Sequence, residues 1–307
     1  MYRCIFVLIA TVLSNHLALA VEPDEAVASF EIHPDFQIEL VASEPVILDP
    51  VDLEFDEFGR AFVLEMPGYP FRGKPGNIVL LTDEDDDGIY ESRQVWAEGF
   101  PVAVSLLPYR GGLLVASPPD LLFLRDTDGD NVADVREVLL SGFAADNTQH
   151  NFNGLIHGLD GWIYGANGGN SGSPYVTSDP DSPMPLRGED FRFNPQTLEL
   201  ERTGRSTGGF EIAFDNWGRY FGTHNVYHIR QLVFPGRYID GLPVSSLRSL
   251  GEISDHEENG LARIFPIGPQ VARVNAPGQA GYFSASCGLT FYGGGAFPEE
   301  FDGNIFI

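Results

Sequence analysis

The sequence is short of cysteine and of basic side chains. Its 307 residues include two cysteines, and 18 lysines and arginines stand against 44 aspartates and glutamates, a formal net charge of −26 at pH 7. Two cysteines cannot build the disulfide framework of a small secreted domain. A chain this acidic repels phosphate backbones and anionic lipids. Nucleic acid and anionic membrane surfaces are therefore poor partners.

Long helical patterns are also scarce, whereas glycine and proline are abundant. The chain has 35 glycines and 22 prolines, with 43% hydrophobic and 12% aromatic residues. This composition is typical of a globular protein with many tight turns, and it favours an all-β fold. One short helix is predicted over residues 23–29, and residues 20–44 otherwise predict a lead-in strand.

The first 20 residues have the pattern of a secretory signal peptide. Arg3 precedes an apolar run at 4–13, and Ala18-Leu19-Ala20 is a small-x-small cleavage site. A retained membrane anchor is the alternative, but the run is short for a span. Cleavage removes Cys4, so Cys287 has no partner for an intrachain disulfide, and we interpret Cys287 as a small buried side chain. We predict an exported protein, periplasmic or extracellular, without a retained transmembrane helix and with membrane association left open.

One phrase recurs five times along the chain: apolar residues, a polar turn with glycine, then an apolar or aromatic strand. Each copy predicts a tight hairpin, because glycine supplies the positive φ angle that such turns need. The turn glycines at 59, 112, 161 and 218 are roughly 50 to 57 residues apart. This period suits units of four short strands, as in the blades of a β-propeller. The copies lie at 53–63, 106–115, 155–164, 212–221 and 289–307.

The expected architecture is therefore a β-propeller of four-stranded blades over residues 46–307, preceded by a lead-in segment at 21–45. A β-sandwich is the alternative, but a sandwich gives no reason for one hairpin to recur at this spacing. About five blades are expected, the last one cut off, so that a six-bladed ring is incomplete here. The longer gap after Gly218 predicts an insertion loop that includes residues 235–249 and the acidic residues 255–258.

Two acidic loops have the ligand spacing of an EF-type calcium loop. The first loop places Asp83, Asp85, Asp87 and Glu91 at positions 1, 3, 5 and 9. The second repeats the pattern with Asp126, Asp128, Asp130 and Asp134, and adds Glu137 at position 12. Close carboxylates repel one another, and a divalent ion turns that cost into binding energy. A structural calcium site is predicted in each loop; the alternative is a solvated Asp-Gly turn without metal.

Polar residues cluster around the third hairpin, and their counterparts follow the fourth. Gln149, His150, Asn151 and Asn153 precede the third hairpin, and His224 and Asn225 follow the fourth. Loops at these positions open on one end of a propeller ring, near its axis. An imidazole there can take a proton from a substrate hydroxyl, so His150 is the candidate general base. The alternative is a structural hydrogen bond from His150 to a loop carbonyl.

These motifs resemble the membrane-bound dehydrogenase family of planctomycete-type bacteria, which is related to the quinoprotein glucose/sorbosone dehydrogenase propellers. The resemblance rests on residues 30–36, 40–45, 158–168 and 214–219 and on the Asp-Gly-Asp loops. It implies that His150, standing before the Gly-Leu-Asp-Gly turn, acts as the base while hydride passes to pyrroloquinoline quinone. The quinoproteins carry an Arg-Asn pair before the next hairpin, where this chain has Thr207-Gly208-Gly209-Phe210, with Arg205 slightly upstream.

Two functions follow as hypotheses. The first is a quinone-dependent dehydrogenase that oxidises a sugar or another alcohol, with a cytochrome c as electron acceptor. The expected cofactor ligands are Gln149, Asn151, Asn153, Arg205, His224 and Asn225. The second is a non-catalytic carbohydrate- or protein-binding propeller stabilised by calcium. These 307 residues contain no Cys-x-x-Cys-His motif, so haem is expected only in a further C-terminal region such as the resembling family carries.

Overall fold

The structure is a computed structural model that describes residues 21–69, 73–239, 242, 249–253, 262–264, 281–283 and 285–307. The predicted signal peptide lies outside the described residues. Two compact units divide in the chain between Leu40 and Val41. The first contains helix α1 (Pro23–Ala28), with proline and two acidic residues in its first turn. The predicted lead-in strand is wrong: residues 29–44 form none.

The second unit is a β-propeller whose blades are consecutive antiparallel sheets. Blade 1 contains β1 (Pro50–Phe55), β2 (Ala61–Glu65), β3 (Gly76–Thr82) and β4 (Ser92–Phe100). Blade 2 contains β5 (Ser105–Tyr109), β6 (Gly112–Ser117), β7 (Asp120–Arg125) and β8 (Val135–Phe143). Blade 3 contains β9 (Asn153–His157), β10 (Ile163–Ala166), β12 (Glu189–Phe193) and β13 (Leu200–Arg205). The strand β11 (Gly172–Val176) lies between β10 and β12 in the sequence, but it pairs with β8 and so belongs to the sheet of blade 2.

Blade 4 and a two-stranded sheet complete the described strands. Blade 4 contains β14 (Ile212–Phe214), β15 (Tyr220–Gly222), β16 (Arg230–Leu232) and β17 (Leu250–Glu252), with the short helix α2 (Gly236–Ile239) between the last two. The fifth sheet pairs β18 (Thr290–Phe291) with β19 (Ile305–Phe306). The acidic residues 255–258 and most of the predicted insertion at 235–249 lie outside the described residues. None of the described helices is long and apolar enough to cross a membrane.

The first strands of the blades define the two ends of the propeller. Strands β1, β5, β9, β14 and β18 contact one another in turn. Each blade is an up-and-down meander. We call the end of the propeller where the first strand of each blade begins the upper end. The turn between the first and second strands then lies at the opposite end, the lower end. Segments that follow second strands return to the upper end, and loops that follow third strands lie at the lower end. This geometry decides which loops can meet.

Apolar side chains fill the space between consecutive blades. Phe62 and Trp96 of blade 1 meet edge to face, 5.2 Å between ring centroids, in the core shared with blade 2. Phe143 of blade 2 stacks 3.9 Å from Phe152, which leads into blade 3. Burying one such ring contributes about 1.5–3 kcal/mol. Blades 2 to 4 have an apolar cluster on each face, because each of them has a neighbouring sheet on either side. In blade 1, by contrast, Val51, Leu53 and Phe55 of β1 are exposed.

Four of the five predicted turn glycines have the conformation that was expected of them. Gly59, Gly161 and Gly218 have φ angles of +79°, +79° and +74°, and Gly303 is similar at +78°. Gly112 is the exception: the turn of blade 2 is formed by residues 110 and 111, and residue 112 already belongs to β6. A Cβ on this glycine would lie 2.1 Å from a backbone oxygen of β7, so close strand approach requires it.

Cys287 was predicted to be buried, and this is wrong. It is exposed in the irregular segment before β18. Its neighbours Ser286 and Leu289 take the buried positions instead.

Candidate active site at the upper end

His150 ends a short 3-10 helix, Thr148–His150, that leads into β9. The side chain of Asn147 caps this helix by accepting a hydrogen bond from the Gln149 amide, 3.1 Å away. Nδ1 of His150 lies 2.6 Å from the carbonyl oxygen of Gly168. A carbonyl can only accept, so Nδ1 carries the hydrogen and Nε2 keeps a lone pair. The structural hydrogen bond thus also leaves the ring in the form that accepts a proton.

Glycines let two loops cross directly behind His150. A Cβ on Gly168 would lie 2.6 Å from the His150 carbonyl oxygen, and a Cβ on Gly209 would lie 2.3 Å from the Cα of Gly168. A Cβ on Gly208 would collide with His224 at the same distance, 2.3 Å. Side chains are therefore excluded from the crossing of the blade 3 and blade 4 loops. The two glycines of the Thr-Gly-Gly-Phe sequence at 207–210 are explained by this contact.

His150 and His224 both lie beside the ring of Phe210. The centroid of Phe210 is 5.7 Å from that of His150 and 6.4 Å from that of His224. Burial, with smaller contributions from the charges of Arg230 and His150, lowers the pKa of His224. The structure thus brings the two predicted histidines to one place and keeps His224 neutral near pH 7.

The predicted amide side chains tie the upper loops together. Nε2 of Gln149 donates to the Tyr69 hydroxyl of blade 1 at 2.9 Å. Nδ2 of Asn153 donates to the Gly209 carbonyl of the blade 4 loop at 2.6 Å. Oδ1 of Asn225 accepts from a backbone amide of the segment before β18. Loops of several blades are thereby fixed relative to His150.

Buried polar atoms without a protein partner gather at this end among the described residues. They are Asn151 Nδ2, Asn153 Oδ1, Thr223 Oγ1, Arg230 Nε and Ser286 Oγ. Leaving such groups unpaired costs about 1–3 kcal/mol each, so they indicate a place where a polar ligand or water binds. Sequence reasoning missed Thr223, Arg230 and Ser286. The one available signal was position: Arg230 begins β16 at the upper end, directly after the His224 segment.

Two arginines lie near each other at this end. Arg205, at the exposed end of β13, is close enough for its charge to contribute to a lowered pKa of Arg230, of which burial is the main cause. The Arg230 guanidinium stacks 4.0 Å from the Tyr227 ring and pairs with Glu252 at 3.5 Å. Arg205 was predicted as a cofactor ligand, and Arg230 is its unpredicted neighbour.

Asp190 holds the two crossing loops from behind. Its fully buried carboxylate accepts hydrogen bonds from the amides of Asn167 at 2.8 Å and Thr207 at 3.0 Å, and from the Tyr220 hydroxyl at 2.9 Å. Burial raises the pKa of Asp190, and these hydrogen bonds oppose the rise. Gly168, whose carbonyl accepts the hydrogen bond from His150, directly follows Asn167 in the chain. By holding the Asn167 amide, Asp190 therefore helps to position that carbonyl.

Three carboxylates face one another from blades 1 and 4. Burial, with the charges of Asp52 and Glu54, raises the pKa of Glu211 to about 8. Burial and the charge of Asp52 raise the pKa of Glu54 to about 7, and burial raises that of Asp52 to about 6. Asp52 also accepts a hydrogen bond from the Leu106 amide at 2.6 Å. Near neutral pH the three carboxyl groups together therefore retain protons. Local sequence patterns did not indicate this property.

The two acidic loops follow β3 and β7 and lie at the lower end, away from His150. Carboxylate oxygens within 4.8 Å of one another come from Asp83, Asp85, Asp87 and Glu91 in the first loop and from Asp126, Asp128 and Asp130 in the second. The other two predicted ligands lie outside the second group: Asp134 accepts hydrogen bonds from Thr127, and Glu137 is exposed on β8. An ion in either loop would not contact His150.

The comparisons with known proteins identify a family and distant structural neighbours. Residues 22–307 match the family described as Domain of unknown function (DUF7133). No curated protein matches the sequence.

Distant similarity to solved structures is also found. Two are structures of Trichoderma reesei Carbohydrate-Active Enzymes Family AA12, an iodide structure with a TM-score of 0.43 and 12% identity over 85% of this chain, and a calcium structure with 0.40 and 13% over 63%. A third is the holo form of the pyranose dehydrogenase PQQ domain from Coprinopsis cinerea, with 0.42 and 15% over 61%. The chain spans 61%, 47% and 49% of the length of these three structures.

Proposed function

The chain belongs to the DUF7133 domain family, and we propose that this member is an exported, quinoprotein-like dehydrogenase that oxidises a sugar or another alcohol at the upper end of its propeller. The observation that carries the proposal is the geometry of His150. Its Nδ1 is committed to the Gly168 carbonyl at 2.6 Å, which leaves Nε2 as a proton acceptor. The nearby side chains of Asn151 and Asn153 each have a buried polar atom without a protein partner, so a polar ligand is expected there.

In the proposed reaction His150 accepts the proton of a substrate hydroxyl at Nε2 while a hydride leaves the carbon that bears it, so that the product is a carbonyl compound. Pyrroloquinoline quinone, when bound, supplies the two-electron acceptor for that hydride. His224 stays neutral, so it adds no competing positive charge next to the base. Asp190 positions the Gly168 carbonyl, and that carbonyl in turn selects the imidazole tautomer of His150.

The donor set at the upper end fits a planar polycarboxylate such as this quinone. Arg205 supplies positive charge, and Nδ2 of Asn151 and Nε of Arg230 are buried donors without a protein acceptor. The amides of Gln149 and Asn153 and the segment of His224 and Asn225 border the same region. The quinone itself is part of the proposal, as are these residues as its ligands.

The cofactor and substrate are tested by dye-linked oxidation. Purified protein is supplied with pyrroloquinoline quinone and calcium, and reduction of an artificial electron acceptor is followed over a panel of sugars and alcohols. Quinone-dependent turnover with at least one substrate is expected, and His150→Gln should abolish it. His157→Gln is the matched control, because His157 ends β9 at the lower end. Carbohydrate or protein binding without turnover would favour the non-catalytic propeller instead.

The partners and ions form a further part of the proposal. A cytochrome c is proposed to take up the electrons, since a protein of net charge −26 attracts a basic redox partner.

The acidic loops are proposed to bind calcium structurally at the lower end. Calorimetric titration of the chelated protein should show heat of calcium binding that Asp83→Ala together with Asp126→Ala removes; unchanged heat would contradict it.

A further inference from the structure

Each four-stranded blade carries an arginine stacked on an aromatic ring at the lower end. The pairs are Arg60 on Phe58, Arg110 on Tyr109, Arg192 on Trp162 and Arg219 on Trp217, with guanidinium carbons 5.8, 5.2, 4.2 and 4.9 Å from the ring centroids. All four aromatic residues lie in, or directly beside, the turn between the first and second strands. The repeated pairs are not explained by turn formation, which the aspartates and glycines already provide.

Two of the rings are presented to solvent on rigid supports. Phe58 and Trp217 are 75% and 76% exposed. Each lies in a turn whose aspartate accepts hydrogen bonds from turn amides and also pairs with the stacked arginine, as Asp56 does with Nε of Arg60 at 2.6 Å. A ring held this way loses little freedom on binding, which favours affinity. We call Phe58 and Trp217 the two platforms.

The apolar surface continues between neighbouring turns. Leu159, in the turn of blade 3, is 72% exposed. A Cβ on Gly218, next to the Trp217 platform, would lie 3.4 Å from Cδ1 of Leu159. The turns of blades 3 and 4 are therefore in van der Waals reach of each other. Exposed apolar groups that adjoin in this way mark a binding surface more often than scattered ones do.

Charge at these turns is balanced, although the whole protein is strongly acidic. Arg60 and Arg219 pair with the aspartates of their own turns, and Nη1 of Arg192 lies 2.6 Å from Oδ2 of Asp160. The paired groups offer hydrogen-bond donors and acceptors, and the two acidic loops at the same end repel a polyanion. The surface suits a neutral ligand that has apolar faces and hydroxyls that both donate and accept.

We propose that the lower end binds a neutral polysaccharide, with one sugar ring on the Phe58 platform and another on the Trp217 platform. The C–H groups of a pyranose face carry slight positive charge and pack on the negative face of an aromatic ring. Sugar hydroxyls meet the paired guanidinium and carboxylate groups of the same turns. This site lies at the opposite end from His150 and is independent of any redox reaction.

The test is affinity electrophoresis in native gels that contain xyloglucan, mixed-linkage β-glucan or glucomannan, with anionic polygalacturonate as comparison. At least one neutral polymer should retard the protein, and polygalacturonate should not. Phe58→Ala and Trp217→Ala should each weaken retardation about two- to tenfold, and Trp217→Phe should largely restore it. Phe30→Ala, which changes an aromatic residue that is 60% exposed in the first unit, should have no effect. His150→Gln should also leave retardation unchanged.

The proposal is overturned if no neutral polymer retards the wild-type protein, or if the Phe58→Ala, Trp217→Ala double variant is retarded equally. It is also overturned if the platforms instead capture a proline-rich peptide or phosphatidylcholine vesicles. Because His150→Gln is included, failure here is distinguishable from failure of the proposed dehydrogenase.

Discussion

Replacing Glu211 by glutamine should stabilise the protein at alkaline pH. Glu211 directly precedes β14, and its side chain lies against Gly154 of the neighbouring blade. A Cβ added to Gly154 would be 3.2 Å from Oε1 of Glu211. Burial and the charges of Asp52 and Glu54 raise its pKa to about 8, against 4.5 for the free side chain. Glutamine keeps the shape of the side chain and removes its charge.

The magnitude follows from the pKa difference between the folded and unfolded states. At 1.36 kcal/mol per unit, the rise from 4.5 to about 8 corresponds to at most about 5 kcal/mol. Below pH 4.5 the carboxyl is protonated in both states, and its stabilising contribution is fully present. As the pH rises the unfolded chain ionises first, so that contribution falls and is lost once the pH passes about 8. Since Asp52 and Glu54 share the repulsion, we expect the variant to gain about 2–5 kcal/mol at pH 9 and almost nothing at pH 4.

The assay is urea unfolding followed by tryptophan fluorescence from pH 4 to 9, in a chelator so that metal binding does not contribute. Glu57→Gln is the matched control, because Glu57 is exposed in the first hairpin turn. Parallel pH dependences of wild type and Glu211→Gln would refute the reasoning. So would a stabilisation of the same size at every pH.

Three further outcomes are expected. Gly209→Ala should cost about 3–5 kcal/mol in unfolding free energy, because a Cβ there meets a backbone atom at 2.3 Å with φ at +83°; Gly59→Ala, with φ at +79° and open space, should cost only about 1–2 kcal/mol. Asp190→Asn should lower stability by about 3 kcal/mol, measured in the same way, because a buried acceptor of four hydrogen bonds becomes partly a donor. With calcium present, Asp126→Ala should lower the melting temperature relative to wild type, because the variant loses a metal ligand. In a chelator the variant should be at least as stable as wild type, because repulsion among the loop carboxylates is relieved. Equal melting temperatures in calcium would contradict a metal site there.

Much of the fold could be predicted from the sequence because it depends on short-range chemistry. A polar turn with glycine between apolar strands specifies one hairpin, and its recurrence specifies a blade repeat. The assignment of Gly112 failed because a glycine can serve close packing as well as a turn. The pairing of β11 with blade 2 was missed because that strand lies within the sequence of blade 3, so its partner is set by tertiary contacts.

The candidate site was predicted only in part. Repeat position alone places His150 and His224 at the same end of the ring. Arg230, Asp190 and Glu211 were missed because their roles arise from burial and from neighbours far apart in sequence: the two charges that act on Glu211 come from β1, more than 150 residues away. Local patterns contain no information about such an environment.

The proposed dehydrogenase depends most on His150 as the base of a quinone-dependent oxidation. The most direct test compares kcat and quinone Kd between the wild-type protein and His150→Gln, with turnover followed by dye reduction and binding by quinone absorbance. We expect kcat to fall at least about a hundredfold, the usual contribution of a general base, while quinone Kd stays within a few fold. Equal turnover in the two proteins, or no quinone binding to either, would contradict it.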